Sequence, residues 1–282
     1  MKQRVYLAKE LALLVLVLGL VFLLTYAILT IPRKEDDVRH PPERGDDAEF
    51  PAVSIERSLR DAFETRITAR AHVLRGEPVN TALEGIRERL LSAAEKKENL
   101  PYGVDILVID ADTAGAVALP GGLVVVYTGL VQQLDTAEQM AGVLAHELGH
   151  VVHRDSVKQL ARQLGISALL SLVGGPKSAA LMKRIMEQAL HIRHARQAEA
   201  RADRFALDVL HAAGIDPAHF ALALERLKRE PQDERIQRFL RYTDTHPAID
   251  ERIRLAREYA SRQVTDTVQL DVEWDRVQRS LR

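Results

Sequence analysis

The period of the hydrophobic positions changes along this chain, and each change marks an element. Residues 11–31 carry no charge. As a helix that run is about 31 Å long, against about 30 Å for a bilayer hydrocarbon core. Lys2, Arg4 and Lys9 precede it, and Arg33 and Lys34 follow. It exceeds the usual signal-peptide core of about 7–15 residues and ends without a clear A-x-A site. The expectation is therefore an uncleaved transmembrane anchor over residues 1–32 rather than a cleaved leader. Residues 33–51 turn to charge and proline with no apolar period, the pattern of a solvated tether. A folded domain over residues 52–282 is expected to follow.

Inside that domain, apolar positions at helical spacing predict a helix from Ser54 to about Arg75, through Ile55, Leu59, Phe63, Ile67 and Val73. Gly76 and Pro78 break it, and a second helix is expected from about Thr81 to Glu98. β-rich runs at 104–109, 116–119 and 123–127, the last two around Pro120-Gly121-Gly122, predict a small antiparallel sheet. Its edge is a place where an extended peptide can add as a strand. Helical periodicity returns over 136–160, with Asp135 or Thr136 as cap. The apolar stretches 164–175 and 179–190 read as a helical hairpin walling a cleft, the alternative being a lid that dips into a membrane surface. They are too short to span a bilayer. A helix through 196–214, another from Asp216-Pro217, a loop over 243–247 and a tail that packs back through Leu270, Val272 and Trp274 complete an α+β, mostly helical chain.

Composition narrows the chemistry. A net charge of -1 gives no reason to expect nucleic acid as a partner. The absence of cysteine excludes disulfides, Cys-ligated zinc, thiol catalysis and lipidation of a cysteine.

One motif stands out, His146-Glu147-Leu148-Gly149-His150. On a helix the two histidines share a face and can hold one zinc ion, with the glutamate in reach of a water beside it. Gly149 is costly in a helix interior, which predicts close packing against another backbone near the metal. A third ligand is required. Ser156 stands where a metzincin would need a histidine. No Asp or Glu occurs between Asp155 and Glu187, so the candidates are Glu187 and Glu199. Glu199 and Asp203 share a helical face, giving one carboxylate for the metal and one for the ring N–H of a zinc-bound histidine. Glu187, with His191 four residues on, reads as a solvated face. Glu199 is the choice.

Five separated blocks carry a resemblance. They are Ala118-Leu119-Pro120-Gly121-Gly122, Val126-Tyr127-Thr128-Gly129-Leu130, the zinc motif, Arg196 with Glu199 and Asp203, and Thr245-His246-Pro247 with Arg252. Together they resemble the gluzincin metallopeptidases that include HtpX, the CAAX prenyl endopeptidases and periplasmic relatives. The resemblance implies a zincin-like fold, one zinc on His146, His150 and Glu199, and Glu147 as general base. It places His246 at the cleft, as a donor to the oxyanion or as a zinc ligand in a resting state. Arg252 would contact substrate or hold the loop through a carboxylate. Polypeptide substrates follow, membrane-associated or misfolded ones, with the domain on the extracytoplasmic, periplasmic side of a single-pass anchor. A latent or chaperone-like zinc-stabilised module is the alternative. Prenyl-peptide processing is disfavoured, because those relatives carry several membrane helices. Nothing in the sequence specifies an oligomeric state. The chain departs from the family at Gly115, at Arg154-Asp155, where Arg-His is common, and at Ala195, where Ser is common.

Overall fold

The computed structural model describes residues 53–98, 100–165, 169, 179–190, 194–229, 242–263 and 267–281. The expected anchor and tether, most of the apolar stretch at 164–175 and residues 230–241 lie outside the described residues. Among the described residues no helix is long and apolar enough to cross a membrane.

Helix α1, Val53–Thr68, buries Ile55, Leu59, Phe63 and Ile67, one residue per turn. It stops well short of Arg75. Val73 and Leu74 instead form strand β1 and pair with Ile109 and Val108. Ladder hydrogen bonds, invisible in the local period, decide that segment. Helix α2 spans Pro78–Ala94. Proline sits in its first turn, where a missing N–H costs nothing.

The sheet is mixed, not antiparallel as expected. Strands β2, Asp105–Ile109, β3, Ala116–Leu119, and β4, Leu123–Tyr127, join β1 in the order β1-β2-β4-β3. The tight turn pairs β3 and β4 antiparallel as its sequence predicts. But β4 inserts between β2 and β3, and so runs parallel to β2. Gly121 and Gly122 make the turn at φ 80° and 83°. A Cβ on Gly122 would lie 2.2 Å from the Gly103 carbonyl oxygen. Alternate sheet residues face two cores. Val108, Ala118, Val124 and Val126 pack with α2 and the helices behind it. Leu107, Val117, Leu119 and Val125 pack with α1 and with residues of 157–189. Both faces are covered, which is why these strands read as continuous apolar runs.

After the short helix α3, Thr128–Gln133, comes α4, Ala137–Val152. Thr136 caps it, its Oγ1 accepting from the Gln139 N–H at 3.2 Å. The Gln139 side chain returns to accept from the Asp135 N–H at 2.8 Å. The expected single helix over 136–160 is two, because the chain turns at Arg154 and restarts as α5, Asp155–Leu164. Next come α6, Ala179–Leu190, α7, Arg196–Ala212, and α8, Ala218–Lys228. The short helix α9, Tyr242–Thr245, leads to α10, Ile249–Ser261, and α11, Trp274–Arg279, ends the described chain. The tail packs back as expected, with the Trp274 indole N–H donating to the Leu134 carbonyl at 3.0 Å.

Candidate metal centre

The close crossing of α4 and α7 builds the centre. A Cβ on Gly149 would lie 2.9 Å from Ala202 Cα and 3.0 Å from the Ala202 oxygen. Glycine at this position lets the two backbones meet, and the meeting brings Glu199 under the two motif histidines.

His146 and His150 are fully buried. Their Nε2 atoms lie 3.0 Å apart. Glu199 Oε1 is 3.4 Å from His150 Nε2, and Oε2 is 3.7 Å from His146 Nε2. His246 Nδ1 lies 3.1 Å from Glu199 Oε1 and 3.2 Å from His146 Nε2. One donor atom from each of these four residues lies within 4.8 Å of every other. Donors about 2.1 Å from a single tetrahedral ion are about 3.4 Å apart. The observed separations bracket that value, and three nitrogens with one carboxylate are a borderline-soft donor set that suits zinc. These residues fit a metal ion.

The outer partners favour the same reading. His146 Nδ1 lies 2.8 Å from Asp203 Oδ1, and His150 Nδ1 lies 2.8 Å from Asp155 Oδ2. A carboxylate on Nδ1 fixes the ring and turns the Nε2 lone pair inward. Arg252 is buried on α10. It donates Nε to Asp203 Oδ2 at 2.8 Å and lies 2.7 Å from Glu199 Oε2. Both of these carboxylates belong to α7.

Electrostatics follow from this packing. Burial, with the charges of Arg252 and His150, pushes His146 down to about 4. Burial also opposes charge on His150, but Asp155 and Glu199 outweigh it and raise the ring to about 9. Glu199 is held well below the carboxylate range by His246 and His150 against its own burial. Asp203 is lowered against burial by Arg252 and His146. Each acid is thus kept as an acceptor for a cation.

Glu147 sits at the inner wall. Its Oε2 accepts from the Ala118 N–H of β3 at 2.9 Å. Its Oε1 is buried without a hydrogen-bond partner and lies 3.4 Å from His246 Nε2. The Ala118 carbonyl accepts from Ser156 Oγ, so at this residue the edge of the sheet is engaged by side chains.

The structure therefore brings together His146, Glu147, His150, Glu199, Asp203, His246 and Arg252. It does not bring in Glu187, which lies exposed on α6 with Lys183 at 3.6 Å. Sequence reasoning missed three residues. Asp155 stands five positions after His150, a spacing that is off-face on a continuous helix and so does not point to it. His194 stacks on His150, centroids 3.9 Å apart and 12° between planes. Tyr242 stacks on His246 at 4.2 Å and 20°. Only the Arg154-Asp155 departure offered a signal for any of them.

The profile of Peptidase family M48 matches residues 79–260, a span that holds the whole cluster. The chain is 29% identical over 157 residues to the mitochondrial metalloendopeptidase OMA1 of Schizosaccharomyces pombe, covering 55% of this chain and 46% of that one. It is 28% identical over 164 residues to the metalloprotease LoiP of Escherichia coli, covering 56% and 63%. It is 26% identical over 224 residues to the beta-barrel assembly-enhancing protease of the same organism, covering 74% and 45%. The matched part is thus roughly half to two-thirds of each relative.

Proposed function

The chain belongs to Peptidase family M48, and from that premise we propose that it is a zinc-dependent endopeptidase. The observation that carries the reading is the buried cluster of His146, His150, Glu199 and His246 beside a carboxylate oxygen of Glu147 that has no hydrogen-bond partner. His146, His150 and Glu199 would hold the ion. Zinc, when bound, supplies Lewis acidity that acidifies water and polarises a carbonyl.

The chain's own residues do the rest. Asp203 and Arg252 hold His146 and Glu199 in place. The Ala118 N–H fixes one oxygen of Glu147 and leaves the other aimed into the site. That oxygen takes the proton from the attacking water and passes it to the leaving amine, the work of a general base turned acid.

His246 fills the remaining donor position, with its ring stacked and 1% exposed. This supports a closed, latent arrangement over one in which His246 greets a substrate. A chaperone-like module is the alternative, and it predicts no hydrolysis under any condition. We take the substrates to be membrane-associated or misfolded polypeptides and the setting to be a membrane, with residues 1–32 as anchor and the domain on the extracytoplasmic side. The uncharged run at 11–31 supports the anchor, and Lys2, Arg4 and Lys9 ahead of it support the orientation.

Glu147→Gln and Glu199→Gln test the reading. The first should keep zinc and lose casein hydrolysis. The second should lose zinc by elemental analysis. Full activity in Glu147→Gln sinks the mechanism, and full loading in Glu199→Gln sinks the ligand assignment.

A further inference from the structure

Between α4 and α5, Arg154 adopts φ 55° and ψ 33°, a left-handed conformation in which a side chain is crowded. The turn is held from outside. Arg154 Nε donates to Glu56 Oε1 at 2.6 Å, and the Tyr102 hydroxyl donates to Glu56 Oε2 at 2.7 Å. Glu56 is fully buried in the first turn of α1. The effect of the turn is to swing Asp155 back beneath the helix it follows, onto His150 Nδ1. The other Asp155 oxygen, Oδ1, lies 3.1 Å from Arg201 Nη2.

Each motif histidine therefore backs onto an aspartate, and each aspartate onto an arginine. The two chains differ in where they end. Arg252, behind Asp203 and His146, is 4% exposed at its side chain, whereas Arg201, behind Asp155 and His150, is 48% exposed. Arg201 reaches in from a surface groove of about 310 Å³ that Lys97, His153, Arg204 and Phe205 also line. Arg201 also follows Glu199 by two residues on α7, so it moves with the third candidate ligand.

We infer that Asp155 and Arg201 are positioning residues for His150, so that one motif histidine is oriented through a solvent-facing ion pair while the other is oriented through a sealed one. This rests on the reading of His146, His150 and Glu199 as metal ligands. Neither Asp155 nor Arg201 touches substrate in this role; both act through the ring.

The test is zinc affinity of the full chain, measured by competition with a chromogenic chelator, for wild type, Asp155→Ala, Asp155→Asn and Arg201→Gln. Asp155→Ala should weaken zinc by about 10–100-fold, the usual cost of losing a carboxylate behind a ligating histidine. Asp155→Asn keeps an acceptor without the charge and should fall between. Arg201→Gln should weaken zinc by about 2–5-fold, with the loss shrinking as KCl rises, because an exposed pair is screened. The thermal midpoint of metal-free Arg201→Gln should match wild type, and its cobalt(II) absorption bands should shift, neither of which a purely structural role predicts. Wild-type zinc affinity in both Asp155→Ala and Arg201→Gln overturns the inference while leaving the ligand reading intact. Absence of stoichiometric zinc in wild type overturns both.

Discussion

The Tyr242 ring lies flat against the imidazole of His246, centroids 4.2 Å apart and 20° between planes. The His246 N–H of the backbone donates to the Tyr242 carbonyl at 3.0 Å, so stacking and backbone together hold the ring on the cluster. His246→Ala should therefore release the fourth position while His146, His150 and Glu199 still hold zinc. Casein hydrolysis is expected to rise several-fold with zinc content unchanged. A fall in hydrolysis at full zinc loading would instead make His246 a donor to the reacting carbonyl.

Gly149→Ala sets two effects against each other. Alanine gains about 1 kcal/mol in helix propensity. Its methyl would sit 2.9 Å from Ala202 Cα and 3.0 Å from a carbonyl oxygen, backbone atoms that cannot rotate away. Overpacking of that kind costs about 1–3 kcal/mol, so the variant should be less stable on balance. It should also bind zinc more weakly, because parting α4 from α7 parts His150 from Glu199. Denaturant unfolding and chelator competition measure the two effects.

Among the described contacts, Arg252→Met removes the partner on Asp203 Oδ2 and one of the cationic groups beside Glu199, while His146 still faces Asp203 Oδ1 and His150 and His246 still face Glu199. Leaving a buried polar atom without its hydrogen bond, while the rest of the group stays paired, costs about 1–3 kcal/mol. The metal-free protein is expected to lose roughly that much stability in urea unfolding. A loss under about 1 kcal/mol would mean that the two carboxylates find water instead.

Glu138 ties the start of α4 to the tail, accepting from the Leu270 N–H at 2.9 Å. Burial alone would raise its carboxyl, but that hydrogen bond, its own N–H and the Thr136 hydroxyl hold it below its ordinary value of 4.5. A depressed carboxylate contributes stability above its unfolded value and loses it as pH falls through the folded one. The thermal midpoint of Glu138→Gln should thus lie below wild type at pH 7. The gap should narrow as pH drops below the ordinary carboxylate value. A gap that stays constant with pH would assign the effect to packing.

Much of the fold was legible because its signals are local. The period through Ile55, Leu59, Phe63 and Ile67 places α1, and the Pro120-Gly122 turn places the β3–β4 hairpin. What local period cannot carry is partnership. Val73 and Leu74 continue an apolar helical pattern, yet they serve the sheet because Val108 and Ile109 lie open beside them. For the same reason the turn predicts an antiparallel pair correctly but says nothing of β2 on the far side of β4.

At the centre, the sequence determined the residue types: two histidines one helical turn apart, an acid-free stretch that narrowed the third carboxylate to Glu187 or Glu199, and a glycine that asked for a close backbone. Tertiary structure decided which acid the α4–α7 crossing presents, and it left Glu187 at the surface. It also decided that Asp155 meets His150, since a helix carries position i+5 away and only the left-handed turn at Arg154, held by Glu56 from a distant helix, brings it back. Spacing along a chain reports faces of regular elements. Where the chain turns out of a helix, geometry depends on residues far away in sequence, and there the structure had to be seen.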